Sequence, residues 1–99
     1  MMRKNIFICI LLLLFSISAW TQESVTVTGI VTDQNKEPLI GVNIAIENMP
    51  GLGVITDLNG RYKIKTSTYN KLVFSYIGYE TVNILVKEQR VINVVMKEA

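Results

Sequence analysis

From Val25 onward the apolar residues recur at every second position. Val25, Val27, Gly29 and Val31 alternate with Thr26, Thr28, Ile30 and Thr32. Successive side chains of an extended chain point to opposite faces, so this period belongs to a half-buried β-strand, and β-branched residues suit it. No stretch beyond about residue 20 shows a 3.6-residue apolar period, which removes helical architectures for most of the 99 residues.

The rest of the chain divides into further short runs separated by turn chemistry. Asp33-Gln34-Asn35-Lys36 reads as a turn, because Asp and Asn side chains bond their own backbone, and Glu37-Pro38 holds the chain extended. Gly41 opens the run Val42 to Ile46. Asn48 to Gly53, with one proline and two glycines, reads as a loop, and Val54 to Thr56 as a short strand. Asp57-Leu58-Asn59-Gly60 turns that strand back into Tyr62-Lys63-Ile64-Lys65, where Tyr62 and Ile64 face one way and both lysines the other. Asn-Gly tolerates positive φ, so Gly60 is expected there. Lys71 to Ile77 is the most apolar stretch, broken by Gly78-Tyr79. Thr81 to Val86 resumes the alternation, Lys87 to Arg90 turns, and Val91 to Met96 forms the last strand. Seven short strands with frequent turns predict an all-β sandwich. The likeness of Val31-Thr32-Asp33-Gln34-Asn35-Lys36 to Ile55-Thr56-Asp57-Leu58-Asn59-Gly60 is read as shared turn chemistry rather than duplication.

The first twenty residues are of another kind. Arg3 and Lys4 precede an unbroken apolar run from Ile6 to Phe15 that contains Cys9, followed by small polar residues and Trp20. A spanning helix needs about 20 apolar residues. Ile6 to Trp20 offers 15, interrupted by Ser16 and Ser18. The segment is therefore read as a secretory signal peptide, residues 1–21, cleaved after Thr21 or after Ala19. Residues 22–99 form the mature domain. Cys9 lies inside the apolar run, away from a cleavage edge, which argues against a lipid anchor.

Charge and chemistry narrow the function. Lys and Arg number 10 and Asp and Glu 8, and Arg3 and Lys4 leave residues 5–99 with eight of each. Nucleic acid is not expected as a partner. With no His in the chain and its one Cys at position 9, the mature domain has no disulfide, thiolate chemistry or usual zinc site. The carboxylates Glu23, Asp33, Glu37, Glu47, Asp57, Glu80, Glu88 and Glu98 fall mostly in turns or at strand ends, and none pairs at a dyad spacing. Ser24, Ser67 and Ser75 have no histidine to activate them. A Ser–Lys pair with Lys63 or Lys71 is the arrangement left, and nothing in the spacing marks one. Asp57-Leu58-Asn59-Gly60 could offer oxygens to calcium, but Arg61 and Lys63 follow where further acidic ligands would be wanted, so a plain turn is preferred. Phe74, Tyr76 and Tyr79 could stack on a sugar. Leu72, Phe74 and Tyr76 share one strand face, which favours core, with the Tyr76 hydroxyl near the rim. No catalytic, cofactor-binding or metal-ligating residue is assigned, and no cofactor or enzymatic activity is expected.

Taken in order, Val27-Thr28-Gly29-Ile30-Val31-Thr32-Asp33, Glu37-Pro38-Leu39-Ile40-Gly41-Val42-Asn43-Ile44, Gly53 to Tyr62 with its Thr56-Asp57-Leu58-Asn59-Gly60 turn, and Leu72-Val73-Phe74-Ser75-Tyr76-Ile77-Gly78-Tyr79-Glu80 resemble the carboxypeptidase regulatory-like domain. The version at the N-terminus of SusC/RagA-type TonB-dependent outer-membrane receptors is the nearest in pattern, over about Val25 to Met96. The resemblance implies a seven-stranded prealbumin-like (transthyretin-like) β-sandwich, exported and located in the periplasm at the outer membrane. It also implies a receptor plug and barrel, or another envelope protein, as partner. No catalytic residues carry over. The sequence ends at Lys97-Glu98-Ala99, where such receptors continue into plug and barrel. The expectation is a non-enzymatic accessory module, either complete or the front piece of a split receptor, that does not itself span the membrane after signal cleavage. The alternative is a free-standing exported binding protein for a glycan, peptide or cell-envelope component. Val91 to Met96 is apolar on both faces without charge or proline, so it is either covered inside its own sheet or an edge that docks a partner.

Overall fold

The computed structural model describes residues 24–99. The segment read as a signal peptide and both cleavage points lie outside the described residues. Seven strands form: β1 (Val25–Thr32), β2 (Asn43–Ile46), β3 (Met49–Ile55), β4 (Arg61–Thr66), β5 (Lys71–Ser75), β6 (Val82–Leu85) and β7 (Val94–Val95). They make two sheets, one of order β4-β1-β7 and one of order β3-β2-β5-β6. This is the all-β sandwich that the alternation predicted, with the prealbumin-like architecture that the family resemblance implied.

Both sheets turn one side-chain row inward. Val27 and Val31 of β1, Tyr62 and Ile64 of β4, and Ile92, Val94 and Met96 of the last segment meet Ile44, Ile46, Leu72, Phe74 and Val86 from the other sheet. The Tyr62 ring stands edge-on to Phe74 across the gap, with centroids 5.5 Å apart. Tyr76 and Tyr79 pack half-buried against this core, their centroids also 5.5 Å apart.

The two Asp-x-Asn segments fold identically. The Asp33 Oδ1 accepts the backbone N–H groups of Asn35 and Glu37, and the Asp57 Oδ1 those of Asn59 and Arg61. In both turns the fourth residue has positive φ, 65° at Lys36 and 72° at Gly60. The echo is therefore turn chemistry, as expected. Gly60 is further constrained, because a Cβ there would lie 2.5 Å from the Val31 carbonyl and 3.0 Å from the Pro38 Cβ.

Between these turns the chain crosses from one sheet to the other. The buried Thr56 hydroxyl accepts the Val42 N–H at 2.9 Å and donates to the Leu39 carbonyl, which fixes that crossing without leaving a polar atom unpaired.

Two expectations need correction. Residues Asn48 to Gly53 were expected to form a loop, but β3 begins at Met49. The turn is shorter than expected: Ile46 pairs with Met49, so only Glu47 and Asn48 connect β2 to β3, and Asn48 supplies φ of 64°. Pro50 and Gly51 survive in the strand because β3 is at a sheet edge, where a missing N–H breaks no ladder bond.

The second correction concerns Val91 to Met96, which is a regular ladder only at Val94–Val95. It runs parallel to β1 with Val31 opposite Val94, and Thr28 bridges Val91. In the middle the Ile30 N–H goes to the Asn93 Oδ1 at 3.0 Å, so a side chain completes the ladder. Gly29 permits the close approach, since a Cβ would collide with the Ile92 carbonyl.

Candidate functional site

The residue types that could do chemistry are dispersed. Lys63 projects from the outer face of the three-stranded sheet, whereas Lys71 and Ser75 lie on the outer face of the other sheet. Those last two are four positions apart on one strand, about 13 Å, too far for a serine to pass a proton to a lysine directly. Asp33 and Asp57 each use a carboxylate oxygen to hold their own turns. Among the described residues no three of Asp, Glu, His and Cys cluster in a way that could hold a metal ion.

The aromatic residues divide between core and rim. Phe74 is fully buried, and the Tyr62 hydroxyl donates to the Ile92 carbonyl at 2.6 Å. Burial pushes the Tyr62 phenol up to about 12. The Tyr79 phenol is also raised, by desolvation first and then by the carboxylates of Glu98 and Asp33. Tyr69, which the sequence reading did not single out, stands 90% exposed on the turn between β4 and β5. An isolated tyrosine in a polar segment has no periodic signature, so nothing in the pattern could have marked it.

The surface features with most structure are the sheet edges. Along residues 91–96, which contain β7, Val91 and Val95 face solvent, 63% and 58% exposed, while Ile92, Val94 and Met96 are buried. Thr28 donates to the Arg90 carbonyl and accepts from the Ile92 N–H, so the peptide groups of Val91 point away from β1. Among the described residues no strand lies beyond β7 in its sheet. The strand is therefore an edge of its sheet. Its C-terminal end is occupied, however: the Glu80 N–H donates to the Lys97 carbonyl and the Ala99 N–H to the Gly78 carbonyl. The open stretch runs only from Val91 to Val95.

The opposite edge, β4, has another character. Arg61, Lys63 and Lys65 alternate with the buried Tyr62, Ile64 and Thr66. Beside it a cleft of about 230 Å³ separates β4 from β3, lined by Ile46, Met49, Leu52, Lys65, Thr66 and Asn70 among others. The arrangement offers edges and grooves for another chain to lie against; Ser24 and Ser67 share the cleft with Lys65, and among the described residues that line it there is no carboxylate.

The chain is 34% identical over 99% of its length to the TonB-dependent receptor SusC of Bacteroides thetaiotaomicron. It is 37% identical over 89% of its length to a TonB-dependent receptor of Formosa agariphila. It spans about a tenth of those relatives, 10% and 9% of their lengths.

Among solved structures, 3-chlorocatechol 1,2-dioxygenase of Rhodococcus opacus superposes with TM-score 0.61 at 12% identity, over 82% of this chain and 62% of that one. The dioxygenase domain of a carbohydrate-binding fusion from Streptomyces sp. SirexAA-E gives TM-score 0.60 at 14% identity, over 83% and 84%. At such identities these likenesses show the sandwich and nothing of its chemistry. Residues 27–99 match the CarboxypepD_reg-like domain, and the chain belongs to that family.

Proposed function

We propose that residues 22–99 are a non-enzymatic accessory module on the periplasmic side of the outer membrane, held against the plug or barrel of a TonB-dependent nutrient receptor. Residues 1–21 are the signal peptide that exports it. The observation that carries this reading is the 34% identity to a TonB-dependent receptor, which runs along 99% of the chain. The scattered carboxylates, the lack of histidine and the single cysteine at position 9 support a role by contact rather than catalysis. Among the described residues no helix is long and apolar enough to cross a membrane. The uncharged β7 edge is the surface that docks to the receptor body, by burial of Val91 and Val95.

A photo-crosslinking amino acid at Val95, expressed in the native cells, tests the contact and the export together. The expected result is an outer-membrane adduct with a receptor plug or barrel, carried by a chain whose mass lacks residues 1 to about 21. Adducts only with soluble envelope components would favour the free-standing binding protein. A chain retaining Met1 would overturn the export reading.

A further inference from the structure

We infer that the β4 edge and the cleft beside it are a docking site for an extended segment of another protein, with carboxylates at alternate positions and apolar residues between them. The site is distinct from the β7 edge and does not depend on the receptor reading.

The argument begins with the ladder. The Val31 N–H donates to the Gly60 carbonyl at 2.8 Å, so the odd residues of β1 exchange bonds with Gly60, Tyr62, Ile64 and Thr66. By the alternation of an antiparallel pair, the peptide groups of Arg61, Lys63 and Lys65 point away from β1; Asp57 takes both of those on Arg61, and those of Lys63 and Lys65 stay open at the sheet edge. The side chains of Arg61, Lys63 and Lys65 stand on the outer face, opposite Ile30, Thr28 and Thr26. A strand added to this edge would pair with Lys63 and Lys65, and its outward side chains would lie about 5 Å from these two lysines at the Cβ atoms.

Charge decides what those outward residues must be. β1, β4 and β7 contain no Asp or Glu, so Lys63 and Lys65 face no acidic residue from the strands of their own sheet. Like charges directly opposite are unfavourable and opposite charges favourable, which selects acidic residues at every second position of the partner. The same repulsion keeps two copies of this chain from joining through β4.

The inward positions of the partner strand are fixed by the cleft. They would fall over the gap between β4 and β3, where Met49 and Leu52 remain 44% and 55% exposed beside Ile46. Apolar residues there would cover both, and β3 brings no charge to oppose them. The pattern that fits is acidic-apolar-acidic, three residues matched to Lys63 through Lys65.

The test uses the chain as recovered from exporting cells and three capped peptides: Glu-Val-Glu-Val-Glu, its block-ordered isomer Val-Val-Glu-Glu-Glu, and Lys-Val-Lys-Val-Lys. The alternating acidic peptide is expected to shift the amide resonances of Lys63 and Lys65 more than those of Val91 and Val95. Its binding should weaken as salt rises. Lys63→Glu and Lys65→Glu should each weaken it about tenfold, with the melting temperature unchanged because both side chains are exposed. Equal binding by the block-ordered peptide would overturn the strand-addition geometry. Binding that survives both charge reversals, shifts confined to other strands, or adsorption to anionic vesicles without peptide binding would each overturn the proposal.

Discussion

At the scale of single residues, the strongest constraints fall where backbone meets backbone. Gly60 combines φ of 72° with a neighbouring carbonyl 2.5 Å from where a Cβ would sit. Gly78 has φ of 87° but open space around it. The pair separates conformational strain from steric overlap. Gly78→Ala should cost about 1 kcal/mol through backbone strain alone. Gly60→Ala should cost more by about 1–3 kcal/mol, because the Val31 carbonyl and Pro38 must also move. Urea unfolding of both variants measures the difference, and equal losses would show that the crossing yields freely. The Asp57-Leu58-Asn59-Gly60 motif was legible as a turn from its residue types. That its glycine also lies under the crossing between sheets was not, because Val31 and Pro38 are distant in sequence.

At the scale of elements, the last strand is the most dependent on a single side chain. Its parallel pairing with β1 is interrupted at Ile30, whose N–H is met by the Asn93 Oδ1. Parallel ladders are slightly weaker per residue than antiparallel ones, and this one has two regular pairs. Asn93→Ala should therefore cost about 1 kcal/mol, the net worth of one such bond. Hydrogen exchange gives the sharper reading: the Ile30 amide should lose protection while Val27, paired on the other side with β4, keeps it. Unchanged exchange at Ile30 would mean that the bond contributes nothing. Sequence alternation correctly found a strand here with Ile92, Val94 and Met96 on one face. It could not show that the strand pairs on one side only, since edge and interior positions differ in neighbours rather than in residue pattern.

For the whole molecule, one core joins two sheets, and Tyr62 bridges its parts. Its ring meets Phe74 from the facing sheet, and its hydroxyl holds the Ile92 carbonyl at the start of the last segment. Burial raises this phenol from 10.0 to about 12. The folded protein thus holds the Tyr62 proton more tightly than the unfolded chain does. The contribution is complete below pH 10 and is lost as pH rises through about 12. Denaturation across that window should show stability falling with pH, and Tyr62→Phe should flatten the fall while costing about 1 kcal/mol at neutral pH. An identical slope in the variant would assign the effect to other tyrosines. Because the domain has a single small core, this titration should unfold it as a unit rather than loosen one sheet.

The sequence alone determined the all-β class, the strand faces and both Asp-x-Asn turns, because each depends on residues within a few positions of one another. Alternation assigns Val27 and Ile64 inward, and Asp33 and Asp57 bond their own neighbours, whatever the rest of the chain does. The family resemblance was likewise legible, since its motifs are contiguous. Tertiary structure decided which strands lie at edges, that β7 pairs parallel to β1, that β3 reaches back to Met49, and that Lys65 borders a cleft between β4 and β3. Those features arise from pairings between distant segments, whose geometry is set by closure of the common core rather than by local preference.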